Sequence, residues 1–407
     1  MNAASDVLEV NGRSYRAPAA PVVVVCIDGS EADYHEQAIA AGLMPYLAEL
    51  PEHGTSLVGE CTMPSFTNPN NISIATGVPP AVHGICGNYF YDAESDSEVM
   101  MNDPRYLRAP TIFAEFERIG AKVAVVTAKD KLRRLLGEGL EKGVCFSAEH
   151  ADRATTADNG ITDVLDLVGR PLPSVYSADL SEFVMAAGVA LLERDRPDLM
   201  YLSLTDFIQH KHAPGSPVAN DFYAMLDRYF KRLDELGAVL VITADHGMNA
   251  KTAGGAPNVV YLDELAGPGG RVVLPITDPY TVHHGALGSF ATVHLPAEAD
   301  VPAIAGRIAG VPGVQQVLRR EEACEAFELP ADRIGELVVI GDRNTALGTS
   351  PDRHDLTQLD GHLRSHGGLT EQEVPFLINR PVQVPDGHRL RNFDAYWVAL
   401  NLGRQDR

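Results

Sequence analysis

The chain has 407 residues, and this length predicts a large core with an inserted second unit rather than one average domain. Its apolar fraction of 45% is ordinary for a globular protein, and no apolar run approaches the ~20 residues that a membrane helix requires. The formal net charge of −22 argues against binding to a nucleic-acid backbone or to an anionic membrane face, but it does not exclude an anionic substrate.

The beginning of the sequence and the cysteines bear on the compartment. The segment MNAASDVLEVNGRSYRAP has neither the basic region nor the apolar region of a secretory signal. The five cysteines are odd in number and form no Cys-x-x-Cys pair, which suits reduced thiols. We therefore expect a cytoplasmic protein.

Apolar β-type runs alternate with helical patterns through most of the chain. The runs are PVVVVCI (21–27), AKVAVVTA (121–128), DLMYLSL (198–204) and AVLVIT (238–243), and helical patterns lie near 110–119, 178–194 and 219–235. This alternation predicts an α/β fold whose central, largely parallel sheet is flanked by helices on both faces.

The composition changes after the last of these runs. Over residues 252–360, glycine and proline breaks are followed by a strand–helix–strand–helix–strand rhythm: SFATVHL, VPAIAGRIAG, GVQQVL, REEACEAFE and ELVVIG. We interpret this stretch as a small inserted α+β cap. Residues 1–251 and 361–407 would then form the core, which ends with a strand, EVPFLIN, and a helix containing Trp397 and Leu400.

Seven residues with ligand or nucleophile chemistry are spread along the predicted core: Asp28, Thr67, Asp206, His210, Asp245, His246 and His366. Three of the segments are apolar runs that end in a carboxylate, namely CIDGS, YLSLTD and VLVITAD. Functional groups of an open α/β sheet collect beyond the carboxyl ends of its strands. Six nitrogen or oxygen ligands and one hydroxyl suit two divalent cations with a nucleophile between them.

Each motif taken alone also has an ordinary structural explanation. Asp206 and His210 are four residues apart, a spacing that serves an exposed helical pair as well as a shared metal. Asp245 could cap the next element, and His366 in SHGG is weak by itself. The joint occurrence in this order favours the metal site, because buried charges require partners.

Thr67 is the candidate nucleophile. It lies in TMPSFTNPNNISIATG, just ahead of a helix predicted over NISIATG, and a helix N-terminus favours an anion. A threonine hydroxyl attacks poorly unless a metal lowers its pKa. The alternative is that Thr67 only caps the helix.

These segments carry a family resemblance. CIDGS, PSFTNPN, HGICGNYFYD, TDFIQH, TADHG and SHGG occur in the order seen in the alkaline phosphatase superfamily, and they most resemble its nucleotide pyrophosphatase/phosphodiesterase branch. The resemblance covers roughly residues 20–250 and 360–400. It implies two zinc ions, one held by Asp206, His210 and His366 and the other by Asp28, Asp245 and His246, with Thr67 between them. Aspartate and histidine ligands also suit manganese or iron.

Within that branch, VTAKDKLRRLLG (126–137) resembles the corresponding segment of the zinc enzymes that hydrolyse the carbon–phosphorus bond of phosphonoacetate. The resemblance implies that Lys129 and Lys131 bind the substrate carboxylate and that Asn88 donates to a phosphoryl oxygen. Solvated lysines and a turn asparagine are the alternatives. His212 is the second residue after His210, a position where many relatives have glycine. It either contacts substrate or belongs to a surface loop.

The implied activity is hydrolysis of phosphonoacetate, a small-molecule phosphonate, to acetate and phosphate through a phospho-threonine. The alternatives are a phosphodiesterase or phosphomonoesterase on the same two metals, a sulfatase, or a catalytically dead binding protein. All seven residues are present, which argues against the last of these. A homodimer is kept as a hypothesis.

Overall fold

A computed structural model describes residues 7–276, 286–357, 359 and 362–403. Over these residues the strands are, in chain order, β1 Val7–Val10, β2 Arg13–Arg16, β3 Val22–Cys26, β4 Thr55–Glu60, β5 Tyr89–Asp92, β6 Ser97–Met100, β7 Val123–Thr127, β8 Val144–Ser147, β9 Leu199–Ser203, β10 Val239–Thr243, β11 Asn249–Ala250, β12 Thr252–Ala253, β13 Ala256–Pro257, β14 Val259–Tyr261, β15 Arg271–Val273, β16 Phe290–His294, β17 Val314–Arg319, β18 Leu337–Gly341, β19 Ala346–Gly348, β20 Arg364–Ser365 and β21 Glu373–Ile378.

The α-helices of the described residues are α1 Ala32–Ala40, α2 Pro45–His53, α3 Thr67–Thr76, α4 Pro80–His83, α5 Ile112–Arg118, α6 Asp130–Leu136, α7 Thr156–Asn159, α8 Val164–Val168, α9 Asp179–Arg194, α10 Phe207–Lys211, α11 Pro217–Glu235, α12 Asp263–Ala266, α13 Val301–Ala309, α14 Arg320–Phe327 and α15 Ala395–Asn401. Among the described parts of the chain, no helix has the length and apolar character needed to cross a membrane.

A central sheet has the strand order β4-β21-β10-β3-β9-β7-β8. Strands β10, β3, β9, β7 and β8 are parallel neighbours, whereas β21 runs antiparallel to both β10 and β4. The prediction of an α/β fold with a largely parallel, helix-flanked sheet is therefore confirmed. The four predicted core runs are strands β3, β7, β9 and β10.

Both faces of the sheet are covered because successive side chains of a strand point to opposite faces. In β3, Val23 and Val25 belong to a buried cluster that includes residues of α1, α9 and α11. Val22 and Val24 belong to a second cluster that includes residues of α3, α5 and α15. All five residues of β3 are buried, which explains the continuous apolar run in the sequence.

The stretch predicted as a cap contains a four-stranded antiparallel sheet of order β15-β16-β18-β17, with α13 and α14 in its connections. One hydrophobic cluster includes Phe290 and Val339 of this sheet together with Phe66 and Phe113 of the core. The inserted sheet is thus packed onto the core by apolar contacts. The division at 252–360 stays a prediction, and its boundary at 360/361 lies outside the described residues.

Candidate active site

The candidate residues lie at one edge of the central sheet. Strands β3, β9 and β10 are parallel neighbours, and they are followed directly by Asp28, Asp206 and Asp245. Parallel neighbours end at the same edge, so the three carboxylates converge although 217 residues of chain separate the outermost two, 245 minus 28. His366 reaches this edge from the other end of the chain, just after β20.

Two groups of buried side chains bring their donor atoms together. The donor atoms of Asp206, His210 and His366 lie within 4.8 Å of one another, and so do those of Asp28, Asp206 and His246. His210 Nε2 lies 2.8 Å from Asp206 Oδ2, across the turn at the start of α10. The first group has the membership that the family resemblance implies.

The second group contains Asp206, whereas the family resemblance implies Asp245 in that place. Asp245 lies beside this group. Its Oδ2 is 3.8 Å from His246 Nε2. Both of its oxygens accept hydrogen bonds: Oδ1 from the amides of Gly29 and His246, and Oδ2 from the side chain of Asn71 at 3.0 Å. Asp245 is therefore fixed in position at 0% exposure. Its assignment to the second metal stays a prediction.

The three histidines share one arrangement. His210 Nδ1 is 2.8 Å from the carbonyl oxygen of Arg364, His246 Nδ1 is 2.9 Å from that of Gly247, and His366 Nδ1 is 2.7 Å from that of Ser65. A carbonyl oxygen only accepts, so each Nδ1 carries a proton and donates it. Donation from one ring nitrogen to a fixed acceptor orients the other nitrogen toward a metal.

The charges of this cluster are unbalanced without a cation. Burial, with the nearby charges of Asp206 and Asp245, raises the pKa of Asp28 well above its ordinary value. Burial by itself lowers the pKa of His246, but the carboxylates of Asp245 and Asp28 outweigh it and raise that pKa to about 10. Burial, with the charges of His246 and His210, lowers the pKa of His366.

One oxygen in the cluster points to the missing charge. Asp28 Oδ1 is buried and makes no hydrogen bond with any described residue, although His246 Nε2 lies 3.3 Å from it. Burying a carboxylate oxygen costs several kcal/mol unless well-aligned partners compensate, and this single contact is not aligned as a hydrogen bond. The carboxylates, the oriented imidazoles and this oxygen fit divalent cations, for which aspartate and histidine are common ligands.

Thr67 is the first residue of α3 rather than its cap. The N-cap position belongs to Phe66, which forms no side-chain cap bond. The helix begins at Thr67, four residues before the predicted NISIATG. Pro69 does not prevent this, because the amides of the first turn have no acceptor within the helix and the missing N–H of proline therefore breaks no helical hydrogen bond. Thr67 Oγ1 lies 3.5 Å from His246 Nε2, and the half-buried side chain lines a cavity.

That cavity, of about 40 Å³, joins the predicted substrate residues to the candidate metal ligands. Its lining within the described chain is Asp28, Thr67, Asn88, Thr127, Ala128, Lys129, Lys131, Leu132, Ser203, Leu204, Asp206, Ile276 and His366. Four aliphatic side chains line it, one of them only the methyl group of Ala128, and no phenylalanine, tyrosine or tryptophan of the described residues does so. Pockets for drug-sized ligands are typically ~300–1,000 Å³, so this cavity suits a small ligand.

Asn88 presents a defined end of its side chain. The backbone amide of Asn68, in the first turn of α3, donates to Asn88 Oδ1 at 2.8 Å. Since a backbone amide only donates, the oxygen of the Asn88 amide must face that contact. The amide nitrogen is therefore directed elsewhere, and Asn88 lines the cavity, where an NH₂ group can serve an anionic oxygen.

Lys129 and Lys131 lie where the chain passes from β7 into α6. The Thr127 hydroxyl donates to the carbonyl oxygen of Lys129 at 2.9 Å, and the Asp130 amide donates to Glu149 Oε2 at 2.8 Å. Lys129 occupies the N-cap position of α6 and Lys131 lies in its first turn. Both lysines line the cavity that Thr67 also lines.

His212 is the predicted residue that the structure separates from this group. It ends α10, and its carbonyl oxygen accepts a hydrogen bond from the Tyr34 hydroxyl at 2.7 Å. It is not among the described residues that line the cavity. A role in substrate contact stays a prediction for His212.

Asn71 is the important residue that the sequence interpretation missed. It is buried and contacts both Asp245 and the backbone of Thr67. Its spacing of four residues from Thr67 was the available indication, because residues four apart share one face of a helix.

The comparisons with known proteins identify the family of the chain. The family "Type I phosphodiesterase / nucleotide pyrophosphatase" matches residues 22–369. The solved phosphonoacetate hydrolase of Sinorhizobium meliloti 1021, in complex with phosphonoformate, is 57% identical with a TM-score of 0.94, over 98% of this chain and 99% of that chain. The same enzyme has been solved with phosphonoacetate.

More distant proteins share the architecture. Murine ectonucleotide pyrophosphatase/phosphodiesterase 5 is 19% identical with a TM-score of 0.63, over 95% of this chain and 97% of that chain, which shows the fold alone. An uncharacterised pyrophosphatase/phosphodiesterase of Schizosaccharomyces pombe is 26% identical over 60% of this chain. The chain spans about half the length of that relative, 47%.

The family match covers most of the chain and shows that the protein is a hydrolase of the phosphodiesterase class. The chain belongs to the type I phosphodiesterase / nucleotide pyrophosphatase family, and within it to the phosphonoacetate hydrolase group of enzymes.

Proposed function

We propose that the protein hydrolyses phosphonoacetate to acetate and phosphate. The observation that carries this proposal is the joint lining of one small cavity by the nucleophile candidate Thr67, the ligand candidate Asp206 and the two lysines Lys129 and Lys131. Phosphonoacetate carries a phosphonate and a carboxylate one carbon apart. A small cavity with a phosphoryl-transfer end and a cationic end matches that pair of charges.

We propose two divalent cations as cofactors, with zinc as the first candidate and manganese or iron as alternatives. Asp206, His210 and His366 would hold one, and Asp28, Asp245 and His246 the other. The cations would neutralise the phosphonate oxygens and lower the pKa of the Thr67 hydroxyl. The buried Oδ1 of Asp28, which makes no aligned hydrogen bond with the described residues, and the oriented histidines support this assignment.

The reaction proposed for this chain has two stages. Thr67 Oγ attacks phosphorus and gives up its proton to solvent; the phosphorus–carbon bond breaks and its electron pair leaves on the carbon. Water protonates that carbanion to acetate. A second water then attacks the phospho-threonine, releases phosphate and restores the Thr67 hydroxyl, so the net reaction consumes one water.

Lys129 and Lys131 have a catalytic purpose in this scheme. A simple carbanion is a very poor leaving group, but the carbanion of acetate spreads its charge onto the carboxylate as an enolate. Ammonium groups beside that carboxylate stabilise the charge as it develops. Asn88 would contribute an N–H donor to a phosphonate oxygen.

The alternative is an ester phosphodiesterase or phosphomonoesterase on the same two metals. Such an enzyme benefits from an apolar or aromatic surface for a nucleoside or aryl group. The aliphatic residues Leu132, Leu204 and Ile276 of the cavity offer little such surface. The lysines therefore favour the carboxylated substrate.

The deciding experiment measures release of inorganic phosphate from phosphonoacetate beside p-nitrophenyl phosphate and bis-p-nitrophenyl phosphate, with zinc, manganese or iron added to metal-free protein. We expect the highest kcat/KM with phosphonoacetate. Brisk hydrolysis of either ester with no phosphonoacetate turnover would establish the alternative instead.

A further inference from the structure

The side chain of Asn71 uses its whole hydrogen-bonding capacity inside the protein. Its Nδ2 donates to the carbonyl oxygen of Thr67 and to Asp245 Oδ2, both at 3.0 Å. Its Oδ1 accepts from the Tyr201 hydroxyl at 2.8 Å and from the Ser203 hydroxyl at 2.9 Å. The residue is 0% exposed. Two donated and two accepted bonds saturate a primary amide.

These contacts fix which way the amide points. The carbonyl oxygen of Thr67 can only accept, so the nitrogen of Asn71 must face it. The two hydroxyls of β9 then hold the oxygen end from the sheet side. Asn71 is thereby locked between strand β9 and the first turn of α3, with one N–H directed at the carboxylate of Asp245.

We propose that Asn71 is a positioning residue that couples the attacking turn of α3 to the Asp245 carboxylate. The inference rests on the proposed function, because it takes Asp245 as a ligand of the second metal and Thr67 as the nucleophile. One amide group sets both positions at once. A shift of Thr67 relative to Asp245 requires breaking a bond of the Asn71 side chain.

The contact with Asn71 is one of three hydrogen bonds that the described residues donate to the Asp245 carboxylate. Its Oδ1 accepts from the backbone amides of Gly29 and His246, whereas its Oδ2 accepts from the Asn71 side chain at 3.0 Å and lies 3.8 Å from His246 Nε2. Loss of that donor leaves Oδ2 without its hydrogen bond in the buried site, with His246 Nε2 still 3.8 Å away. Removal of a hydrogen-bond partner behind a metal ligand typically lowers metal affinity ~10–100-fold.

Asn70 provides a matched control. It neighbours Asn71 in α3 and is equally buried, at 0% exposure. Its Nδ2 donates to the carbonyl oxygens of Thr62, Pro64 and Phe66, and its Oδ1 accepts from Thr62 and Asn392. These partners hold the turn before α3. They include no candidate ligand, so Asn70→Ala tests damage to the fold at the same place.

The experiment measures zinc bound per chain, by mass spectrometry after dialysis against graded chelator, for wild type, Asn71→Ala, Asn71→Asp and Asn70→Ala. We expect both Asn71 variants to release one of two zinc ions at ~10–100-fold lower chelator strength, while Asn70→Ala releases both as the wild type does. Asn71→Asp keeps the shape of the side chain but replaces its N–H donors with an oxygen that repels the Asp245 carboxylate, so an effect of this variant does not come from a cavity.

Two outcomes would overturn the inference: wild-type zinc retention in both Asn71 variants, or the same selective release from Asn70→Ala. If the Asn71 variants fail to fold, the double variant Tyr201→Phe/Ser203→Ala loosens the amide from the sheet side. It should release one ion earlier than wild type, and unchanged retention of both ions would again refute the role.

The zinc measurement is independent of the substrate. Wild-type protein that binds two zinc ions without hydrolysing phosphonoacetate would contradict the proposed function and leave the role of Asn71 standing. Wild-type protein that binds no zinc, manganese or iron would overturn both.

Discussion

The imidazole rings of His246 and His366 are stacked face to face, with centroids 3.6 Å apart and planes 8° from parallel. The two residues lie 120 positions apart in the sequence, 366 minus 246, and each donates its Nδ1 proton to a different loop. Two rings in contact cannot both carry a full positive charge cheaply. Against the effect of burial, the carboxylates of Asp245 and Asp28 raise the pKa of His246, whereas burial and then the charge of His246 lower the pKa of His366, so the positive charge belongs to His246.

The first prediction concerns metal content. Purified protein should hold about two divalent ions per chain, and strong chelation should abolish turnover until zinc is restored. His366→Ala should empty the site that it shares with Asp206 and His210 preferentially, because the second group keeps its own ligands. Elemental analysis checks the count, and full activity in verified metal-free protein would contradict the two-metal site.

The second prediction concerns Thr67. Thr67→Ala removes the attacking oxygen, so turnover should fall by orders of magnitude while two ions remain bound. Thr67→Ser keeps the hydroxyl and should retain a measurable rate. Initial rates and metal analysis on the same preparations make the comparison. A Thr67→Ala enzyme with near wild-type turnover would instead point to direct attack by water.

The third prediction concerns the lysines. Lys129→Ala and Lys131→Ala should each reduce phosphonoacetate hydrolysis ~10–100-fold more than hydrolysis of an aryl phosphate ester, because a lost charge-assisted contact costs ~1.5–3 kcal/mol. The kcat should fall as well as the affinity, since these contacts strengthen as charge moves onto the leaving group. Steady-state kinetics on both substrates test this. Equal losses would assign the lysines to the phosphoryl group or to the fold.

The fourth prediction concerns stability in acid. Burial lowers the pKa of His83 to about 3 and that of His35 to about 4. His83 is held as the neutral ring, since its Nδ1 accepts from the Ile85 amide at 3.1 Å and its Nε2 faces the Ser73 hydroxyl at 2.8 Å. The unfolded chain binds a proton at each histidine below about pH 6.5, whereas the folded chain does not.

Stability from these two histidines is therefore fully present above pH 6.5 and is lost as the pH falls toward their folded pKa values. Each histidine should lower the free energy of unfolding by about 1.4 kcal/mol per pH unit, or by roughly 2 kcal/mol between pH 6.5 and 5. Urea unfolding with chelator present, at pH 7.5 and 5, gives the loss without metal release. His83→Asn, which retains an acceptor near Nδ1, should flatten the slope by about the share of one histidine; an unchanged slope would count against this assignment.

The sequence predicted the parts of the fold that local pattern controls. The continuous apolar run of β3 and the three- and four-residue apolar steps of α11 are properties of single segments, and both elements occur where they were expected. The direction of β21 was beyond such a pattern. The apolar character of EVPFLI predicts a buried strand but not its direction relative to its neighbours. That direction is seen only in the pairing of β21 with β10 and β4, which is antiparallel in both cases.

The candidate site also contains residues that a local sequence pattern predicts and residues whose role depends on tertiary contacts. Asp28 and Asp245 could be predicted because each follows a buried strand, and parallel strands end together. The spacing of Asn71 from Thr67 places both on one helix face, but the contacts of Asn71 could not be predicted, because its partners Tyr201 and Asp245 lie more than a hundred residues away. An asparagine in a helix indicates nothing about such partners. Asp206 belongs to both groups of candidate ligands, and this shared membership depends on the distances between side chains in the folded chain rather than on a motif.

The placement of β21 has a consequence for how the protein is made. Residues 373–378 lie in the sheet between residues 55–60 and residues 239–243, so both neighbours leave the ribosome well before the strand that separates them. Until then, each neighbour presents an unpaired edge, which is a template for association with other chains. His366 is synthesised only a few residues ahead of β21. Completion of the candidate metal site and closure of the sheet therefore both wait for the last part of the chain, and a nascent chain that stalls earlier has neither a complete candidate site nor a protected edge.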